Sequence, residues 1–198
     1  MRIRKLVCYG DSNTYGYDPR CYAGDILSPA VRWTGRLNAM PEWLVAEYGS
    51  NGRQIPTSPP EFAALDQVLK KEAPLDCLIV MLGSNDALFM PSPTPQAVGD
   101  RMEELISHTL ALPAMKEAAF LLVAPPRAAL EGMDWRCGII SKLGRPYAAL
   151  AEKYGVEFAD AGAWGPEMAF DGIHMSPEGH RLFAEKIDEE LKMIFSQR

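Results

Sequence analysis

The chain has no long hydrophobic run, and its net charge is acidic rather than basic. No apolar stretch in its 198 residues approaches the roughly 20 residues that a helix needs to cross a bilayer. The net charge of −6 and the pI near 5.1 argue against binding to nucleic acid or to an anionic membrane, because both need a basic surface. The start, Met1-Arg2-Ile3-Arg4, leads into a predicted strand without the apolar region of a secretory signal. We therefore expect a cytoplasmic protein with neither a membrane nor a nucleic-acid partner.

Cysteine and histidine are scarce, which limits the metal and redox chemistry that the chain supports. Its four cysteines form no pair at metal-ligand spacing and are typical of thiols in a reducing compartment. The histidines are His108, His174 and His180. A metal site built from Asp171, His174 and His180 has no further histidine or carboxylate spaced to complete it. No Gly-rich dinucleotide fingerprint follows a predicted strand, so we predict neither a metal nor a cofactor.

Predicted strands and helices alternate along the chain. The continuous apolar run in 76–82 is typical of a strand covered on both faces, and Thr94-Pro95 and Ser176-Pro177 are typical helix starts. This alternation predicts an α/β fold, a three-layer α/β/α sandwich with five parallel strands in flavodoxin-like order, formed by a single domain over residues 1–198. The predicted strands are 5–9, 43–48, 76–82, 119–124 and 156–160, and the predicted helices are 33–40, 61–72, 94–112, 139–154 and one that begins at 176.

Polar residues follow the ends of several predicted strands, where an open parallel sheet binds its ligands. Ser12 follows the first strand, Gly49 the second, Asn85 the third, and residues 171–174 come after the fifth. If the fifth strand lies at the far edge of the sheet, His174 must return across roughly 14 Å. The chain from 161 to 174 can extend over roughly 40 Å at about 3.3 Å per residue, so we expect these residues to meet.

Ser12, Asp171 and His174 form a candidate catalytic triad. A serine hydroxyl is a weak nucleophile and needs an adjacent base that is oriented by a third group. His174 can be that base, because Asp171 lies three residues upstream and can accept its Nδ1–H. We expect activity to fall in acid, where a protonated imidazole cannot accept the serine proton.

Acyl transfer also needs hydrogen-bond donors for the oxygen that becomes negative in the tetrahedral intermediate. We predict an oxyanion hole made of the backbone N–H of Ser12, the backbone N–H of Gly49 and the side-chain amide of Asn85. Each of these residues alone is typical of an ordinary turn. Their joint placement at the strand ends indicates an active site.

Four sequence blocks resemble those of the GDSL or SGNH hydrolase family, in the family's order and over nearly the whole chain. The resemblance implies the same nucleophile, base, orienting carboxylate and oxyanion donors that are listed above. Further matches resemble the bacterial arylesterase and perhydrolase-like branch, which implies short acyl esters as substrates and a homo-oligomer. The blocks are Gly10-Asp11-Ser12, Gly49, Gly83-Ser84-Asn85-Asp86 and Asp171-Gly172-Ile173-His174, and the branch matches are Arg32-Trp33-Thr34-Gly35, Gly52-Arg53, Met81-Leu82-Gly83 and Asp160-Ala161-Gly162.

One residue departs from the family name, because Asn13 stands where the name has leucine. This places a polar group near the predicted pocket, and we predict that Asn13, Trp33, Phe89 and Trp135 contact the substrate. The expected reaction is hydrolysis or transfer of a short acyl group from a small-molecule ester through an acyl-enzyme on Ser12. Cleavage of carbohydrate O-acetyl groups or of acyl thioesters uses the same machinery and stays open. The alternative of another class is a non-catalytic flavodoxin-like module that binds phosphate after the first strand.

Overall fold

The computed structural model describes residues 2–21 and 25–197, and within them five parallel strands form a sheet. Met1, residues 22–24 and Arg198 lie outside the described residues. The strands are β1 (Arg4–Gly10), β2 (Trp43–Gly49), β3 (Cys77–Met81), β4 (Ala119–Ala124) and β5 (Glu157–Asp160). Their order is β2-β1-β3-β4-β5, which confirms the predicted flavodoxin-like topology.

Helices connect the strands and cover the sheet. A short 3₁₀ helix at Pro113–Met115 precedes β4. None of the helices in the described part of the chain is both long enough and apolar enough to span a bilayer. The helices are α1 (Ser12–Tyr15), α2 (Trp33–Asn38), α3 (Pro59–Glu72), α4 (Ser84–Phe89), α5 (Pro95–Leu110), α6 (Asp134–Ile140), α7 (Gly144–Tyr154), α8 (Ala161–Trp164) and α9 (Pro177–Ser196).

The sheet separates two hydrophobic cores. Successive side chains of a strand point to opposite faces, so Val7 and Val80 pack against α3, α5, α6 and α7, whereas Leu6 and Ile79 pack against α2, α8 and α9. Because both faces are covered, β3 and β4 are buried at every position. This arrangement confirms the predicted three-layer α/β/α sandwich.

Three long helices begin at side-chain caps, two of them at the predicted residues. Thr94 Oγ1 accepts the N–H of Ala97 at 3.0 Å, and Ser176 Oγ accepts the N–H of Gly179 at 3.1 Å. Ser58 and Glu61 form a capping box at the start of α3. The cap at Ser176 fixes where α9 begins and therefore where the preceding loop ends.

The predicted helix 139–154 is wrong as a single element, because the structure divides this region into α6 and α7. Pro146 lies in the first turn of α7. A proline in the middle of a helix lacks the N–H for the backbone hydrogen bond, and its ring clashes with the carbonyl four residues earlier. In the first turn neither penalty applies, so the chain ends one helix and begins another.

Candidate active site

The structure brings the three predicted triad residues into one hydrogen-bonded chain. Ser12 Oγ lies 3.0 Å from His174 Nε2, and His174 Nδ1 lies 2.5 Å from Asp171 Oδ2. The carboxylate accepts the Nδ1–H, which leaves Nε2 to accept the serine hydroxyl proton. The arrangement can therefore deprotonate the serine as it attacks an electrophile.

Ser12 lies on a tight turn directly after β1, which we call the nucleophile turn (residues 10–15). Asp11 organises this turn: its Oδ1 accepts the N–H of Asn13 at 3.0 Å, and its carbonyl accepts the N–H groups of Thr14 and Tyr15. The Asp11 side chain is buried, and this burial raises its pKa to about 7 despite the hydrogen bond from Asn13. The end of a buried strand and a buried cap together position the hydroxyl.

Asp171 and His174 lie on a second segment, which we call the acid–base loop (residues 168–176). Asp171 Oδ1 accepts the backbone N–H groups of Ile173 and His174, both at 3.1 Å. Burial alone would raise the pKa of Asp171, but the hydrogen bonds from the His174 ring and from these two amides outweigh it and hold the pKa below its ordinary value. The carboxylate is therefore kept ionised beside the imidazole.

The sequence Gly83-Ser84-Asn85-Asp86 turns the chain from β3 into α4. Gly83 has φ 117° and a Cβ there would lie 2.4 Å from the Tyr147 hydroxyl, so both backbone and packing require glycine. The turn places Asn85 in the lining of the same cleft as Ser12. Asn85 Nδ2 donates one hydrogen bond to the carbonyl of Arg53 at 3.0 Å. The side-chain amide has two N–H groups, so the second remains to serve a ligand.

Arg53 and Asp86 connect the loop after β2 to the rest of the site. The Arg53 guanidinium donates to the carbonyls of Gly10, at 2.8 Å, and Tyr48. Asp86 is fully buried, and its two oxygens accept hydrogen bonds from Arg101, at 2.8 Å, and from the N–H of Ile55, at 3.0 Å. Burial raises the pKa of Asp86, against the opposing effect of Arg101. These bonds fix the loop that faces Asn85.

Gly49 lies at the end of β2, outside the cleft. The N–H of Ser50 bonds the carbonyl of Gly10, and successive amides of a strand point to opposite sides, so the Gly49 amide points away from β1. A Cβ at residue 49 would lie 2.0 Å from the backbone nitrogen of Tyr15, which makes Gly49 a packing residue under α1. Gly52, three residues later, lines the cleft with Ser12 and Asn85.

The cleft above the triad has a volume of about 400 Å³ and mainly apolar walls. Phe89, one of the four residues predicted to contact the substrate, lines it and is 61% exposed. The ring of Tyr17, which sequence reasoning did not select, lies 4.6 Å from the His174 ring between centroids. The lining residues are Ser12, Tyr17, Pro19, Asn51, Gly52, Asn85, Leu88, Phe89, Leu130, Asp171, Ile173 and His174.

The other three residues predicted to contact substrate lie elsewhere. Asn13 is buried within the nucleophile turn and Trp33 is buried beside it, and the Trp33 Nε1–H donates to the Asn13 carbonyl at 3.0 Å. Trp135 is 58% exposed on α6, where the Arg136 guanidinium lies over its ring. Local sequence signals a polar or aromatic residue near the site, but not the direction in which its side chain points.

The two other histidines lie outside the triad. His180 is buried, and its Nδ1 accepts the backbone N–H of Trp33 at 3.4 Å. Burial lowers the pKa of His180 to about 4. His108 Nε2 lies 2.7 Å from Asp66 Oδ1. No three His, Cys, Asp or Glu side chains within residues 2–21 and 25–197 lie close enough together to hold a metal ion.

Comparisons with known proteins agree with this geometry. The model of the GDSL-like lipase/acylhydrolase family matches residues 8–182. An aryl esterase of M. smegmatis is 27% identical, with a TM-score of 0.81, over 96% of this chain and 99% of that one. A carbohydrate acetylesterase from Sinorhizobium meliloti is 27% identical, with a TM-score of 0.82, over the same shares of the two chains. No curated protein sequence matches the chain.

The family match extends from β1 into α9 and therefore includes all the elements that carry Ser12, Asn85, Asp171 and His174. A non-catalytic flavodoxin-like module would share the sheet order, but a family of acylhydrolases accounts for both the sheet and the sequence blocks at its strand ends. The chain belongs to the GDSL-like lipase/acylhydrolase family and is a serine hydrolase of carboxylic esters.

Proposed function

We propose that Ser12, His174 and Asp171 hydrolyse small, uncharged acyl esters through an acyl-enzyme on Ser12. The observation that carries the proposal is the hydrogen-bonded chain from the Ser12 hydroxyl through the His174 ring to the Asp171 carboxylate, which opens onto a cleft. A serine with a base and an orienting carboxylate is the arrangement that acyl transfer requires.

In the first half of the reaction, Ser12 Oγ attacks the carbonyl carbon of the ester while His174 Nε2 takes the hydroxyl proton. The Asp171 carboxylate stabilises the imidazolium that forms. His174 then gives the proton to the leaving alcohol oxygen as the bond from the carbonyl carbon to that oxygen breaks. In the second half, His174 takes a proton from water, the resulting nucleophile attacks the acyl carbon, and the proton returns to Ser12 as the acid leaves.

We assign the oxyanion hole to the Ser12 amide, the Gly52 amide and the Asn85 side chain. The amides of Asn13 and Tyr15 bond Asp11, whereas the Ser12 amide is the first of α1 and has no partner available within its helix. Gly52 replaces Gly49 in this assignment because Gly52 lines the cleft and the Gly49 amide is directed away from β1. Hydrogen-bond donors that point at the developing negative charge stabilise the transition state most strongly in a partly desolvated cleft of this kind.

The walls of the cleft favour a neutral substrate with a short or flat apolar part. Asp171 is the charged side chain in the lining, and it is engaged by His174. Leu88, Leu130 and Ile173 supply apolar surface. A carbohydrate O-acetyl ester is the second candidate, because the M. smegmatis and S. meliloti relatives are equally similar to this chain and are described as an aryl esterase and a carbohydrate acetylesterase.

The decisive experiment measures turnover of an activated acetate ester by the wild type and by Ser12→Ala. We expect the variant to lose nearly all turnover, by a factor of about 10⁴ or more. Fluorophosphonate labelling followed by peptide mapping is expected to modify Ser12 in the wild type. If Ser12→Ala keeps most of its turnover, or if the label lies on another residue, Ser12 is not the nucleophile. A rate that stays flat between mildly acidic and neutral pH would contradict the role of His174 as base.

A substrate panel separates the three candidate substrate classes. Comparison of kcat/KM for aryl acetates, acetylated sugars and acyl thioesters measures which leaving group the cleft favours. Higher kcat/KM for acetylated sugars would select carbohydrate deacetylation. Higher kcat/KM for aryl acetates would select the arylesterase activity.

We also propose that residues 1–198 form one domain that acts in the cytoplasm as a homo-oligomer. The resemblance to the arylesterase and perhydrolase-like branch supports the oligomer, and Trp135 and Phe170, which are 58% and 80% exposed, offer apolar surface for a contact. Light scattering during size-exclusion chromatography tests it directly. A monomer at micromolar concentration would contradict the proposed assembly.

A further inference from the structure

Asn13 is buried beside the catalytic serine, and its side chain bonds the acid–base loop at both ends of the amide group. Its Nδ2–H donates to the carbonyl of Ile173 at 3.0 Å, and its Oδ1 accepts the N–H of Met175 at 2.8 Å. The residue is 5% exposed. Its two partners are the neighbours of His174, so one side chain holds the backbone on either side of the catalytic base.

The backbone of His174 itself is held by two further hydrogen bonds. Its N–H donates to Asp171 Oδ1 at 3.1 Å, and its carbonyl accepts the N–H of Ala169 at 2.7 Å. Asn13 bonds the backbone groups that flank His174, whereas Asp171 and Ala169 bond the backbone groups of His174 itself. The backbone of residues 173–175 is therefore held at four points.

The main chain of Asn13 is in turn fixed by two contacts. Its N–H donates to Asp11 Oδ1, and its carbonyl accepts the Trp33 Nε1–H at 3.0 Å. Trp33 is 1% exposed and packs against Phe183 of α9, with 5.0 Å between ring centroids. Asn13 follows Ser12 directly within the nucleophile turn. The same residue therefore connects this turn to the acid–base loop.

We propose that Asn13 is a positioning residue that sets the distance between Ser12 and His174 through its two hydrogen bonds to the acid–base loop. A leucine, which the family name has at this place, fills similar space but can make neither bond. In this chain, a leucine would leave the Ile173 carbonyl and the Met175 N–H without this partner in a buried place. Asn13 is buried and is not among the residues that line the cleft, so it acts through His174 and not on substrate. The inference rests on the proposed roles of Ser12 and His174.

The test compares Asn13→Leu and Asn13→Asp with the wild type, with Ser12→Ala assayed in parallel. Asn13→Leu removes both hydrogen bonds, whereas Asn13→Asp keeps the acceptor for Met175 and loses the donor to Ile173. Because a small misplacement of a catalytic group is costly, we expect kcat to fall by about 10- to 100-fold in Asn13→Leu. KM should stay within about twofold, and the loss should be the same for acetyl and longer acyl esters, since the substrate does not touch Asn13.

Asn38→Leu is the matched control. The Asn38 Oδ1 also accepts a backbone N–H, that of Val45 at 2.9 Å, but at the edge strand β2 and outside the cleft. We expect this variant to keep the wild-type kcat. The imidazole N–H resonance of His174, observed by proton NMR, gives an independent signature. It should broaden or shift in both Asn13 variants and stay unchanged in Asn38→Leu.

Distinct outcomes separate the failure of this proposal from the failure of the catalytic assignment. An unchanged kcat in folded Asn13→Leu, or a loss confined to KM or to one acyl length, would overturn the positioning role. Substantial turnover in Ser12→Ala would instead overturn the proposed nucleophile. If Asn13→Leu does not fold, the nearly isosteric Asn13→Asp decides, and wild-type kcat in that variant also overturns the proposal.

Discussion

The nucleophile turn and the acid–base loop contribute to one active site, but they are positioned by different forces. The turn continues from β1, whose last five residues are buried between two helix layers, and it is closed by backbone bonds within α1. The acid–base loop lies between α8 and α9 and is held by an isolated bridge between Met168 and Met175 and by individual hydrogen bonds. Burial of the sheet fixes the first segment, and a few polar contacts fix the second.

This difference predicts that the two segments respond differently to substitution. Changes in the nucleophile turn should disturb the whole fold, because its neighbours are sheet and core. Changes in the acid–base loop away from Met175 should reduce catalysis with a smaller loss of stability, since Met175 is a core residue whereas Met168 and Ile173 are only partly buried.

Asp171→Asn should have the largest effect. The amide keeps the size of the carboxylate but cannot stabilise the imidazolium or select the same tautomer, and in other triads this change costs about 10⁴-fold in kcat. Steady-state kinetics with an activated acetate ester measures it, and Asp100→Asn on α5 is an exposed control that should keep full activity. A loss of less than about tenfold in Asp171→Asn would show that the loop does not supply the orienting carboxylate.

Asn85→Ala should come next. Removal of a single oxyanion donor typically lowers kcat by about 10²- to 10³-fold while substrate binding changes little. Steady-state kinetics of Asn85→Ala and the wild type measures the change in kcat separately from the change in KM. A raised KM at unchanged kcat would instead make Asn85 a ground-state binding residue.

Substitutions of glycine compare the two segments directly. Gly10→Ala places a Cβ 2.1 Å from Thr14 Oγ1, in the nucleophile turn, and should lower the melting temperature as well as activity. Gly172→Ala places one 2.0 Å from the Ala129 carbonyl, at φ 71°, and should lower kcat by about tenfold or more with a smaller loss of melting temperature. Equal losses of melting temperature would contradict the proposed difference.

Gly165→Ala provides the control for backbone strain at Gly172. Residue 165 has φ 64°, similar to Gly172, but a Cβ there meets nothing within 4 Å. We expect a loss of about 1 kcal/mol in unfolding free energy from the left-handed conformation and no change in kcat. A large loss of kcat in this variant would show that strain alone explains the effect at Gly172.

Asp11→Asn tests the nucleophile turn through the pH dependence of stability. Burial raises the pKa of Asp11 from its ordinary 3.8 to about 7, so its contribution to stability is full below pH 4 and is lost as the pH rises toward 7, by about 1 kcal/mol per pH unit. His180, whose pKa burial lowers to about 4, acts in the opposite direction: its contribution is present above about pH 6.5 and is lost as the pH falls.

Urea unfolding at pH 5, 6 and 7 checks this balance. Asp11→Asn removes the loss of stability that ionisation of Asp11 causes, whereas the contribution of His180 stays. The free energy of unfolding of this variant, relative to the wild type, should therefore rise with pH across this range. Parallel stability curves for the two proteins would contradict the raised pKa of Asp11.

Sequence reasoning predicts the sheet for physical reasons, and it selects three candidate triad residues that the structure brings together. Apolar runs and helix caps are local signals, and they predicted all five strands and the starts of α5 and α9. The turn after β1 and the spacing of Asp171 to His174 are also local, so the sequence alone indicates the candidate catalytic residues. The break between α6 and α7 carried a local signal too, in Pro146, but helical periodicity on both sides concealed it.

The sequence by itself determined the three-layer α/β/α architecture and the residue types of the triad, because burial patterns and reactive groups belong to short segments. Only the tertiary structure decided which residues line the cleft. Gly52 lines it and Gly49 does not, and the Trp33 ring is buried in the core. The tertiary structure also decided that Asn13 bonds Ile173, 160 positions away. Such contacts depend on how distant segments pack, which no local pattern encodes.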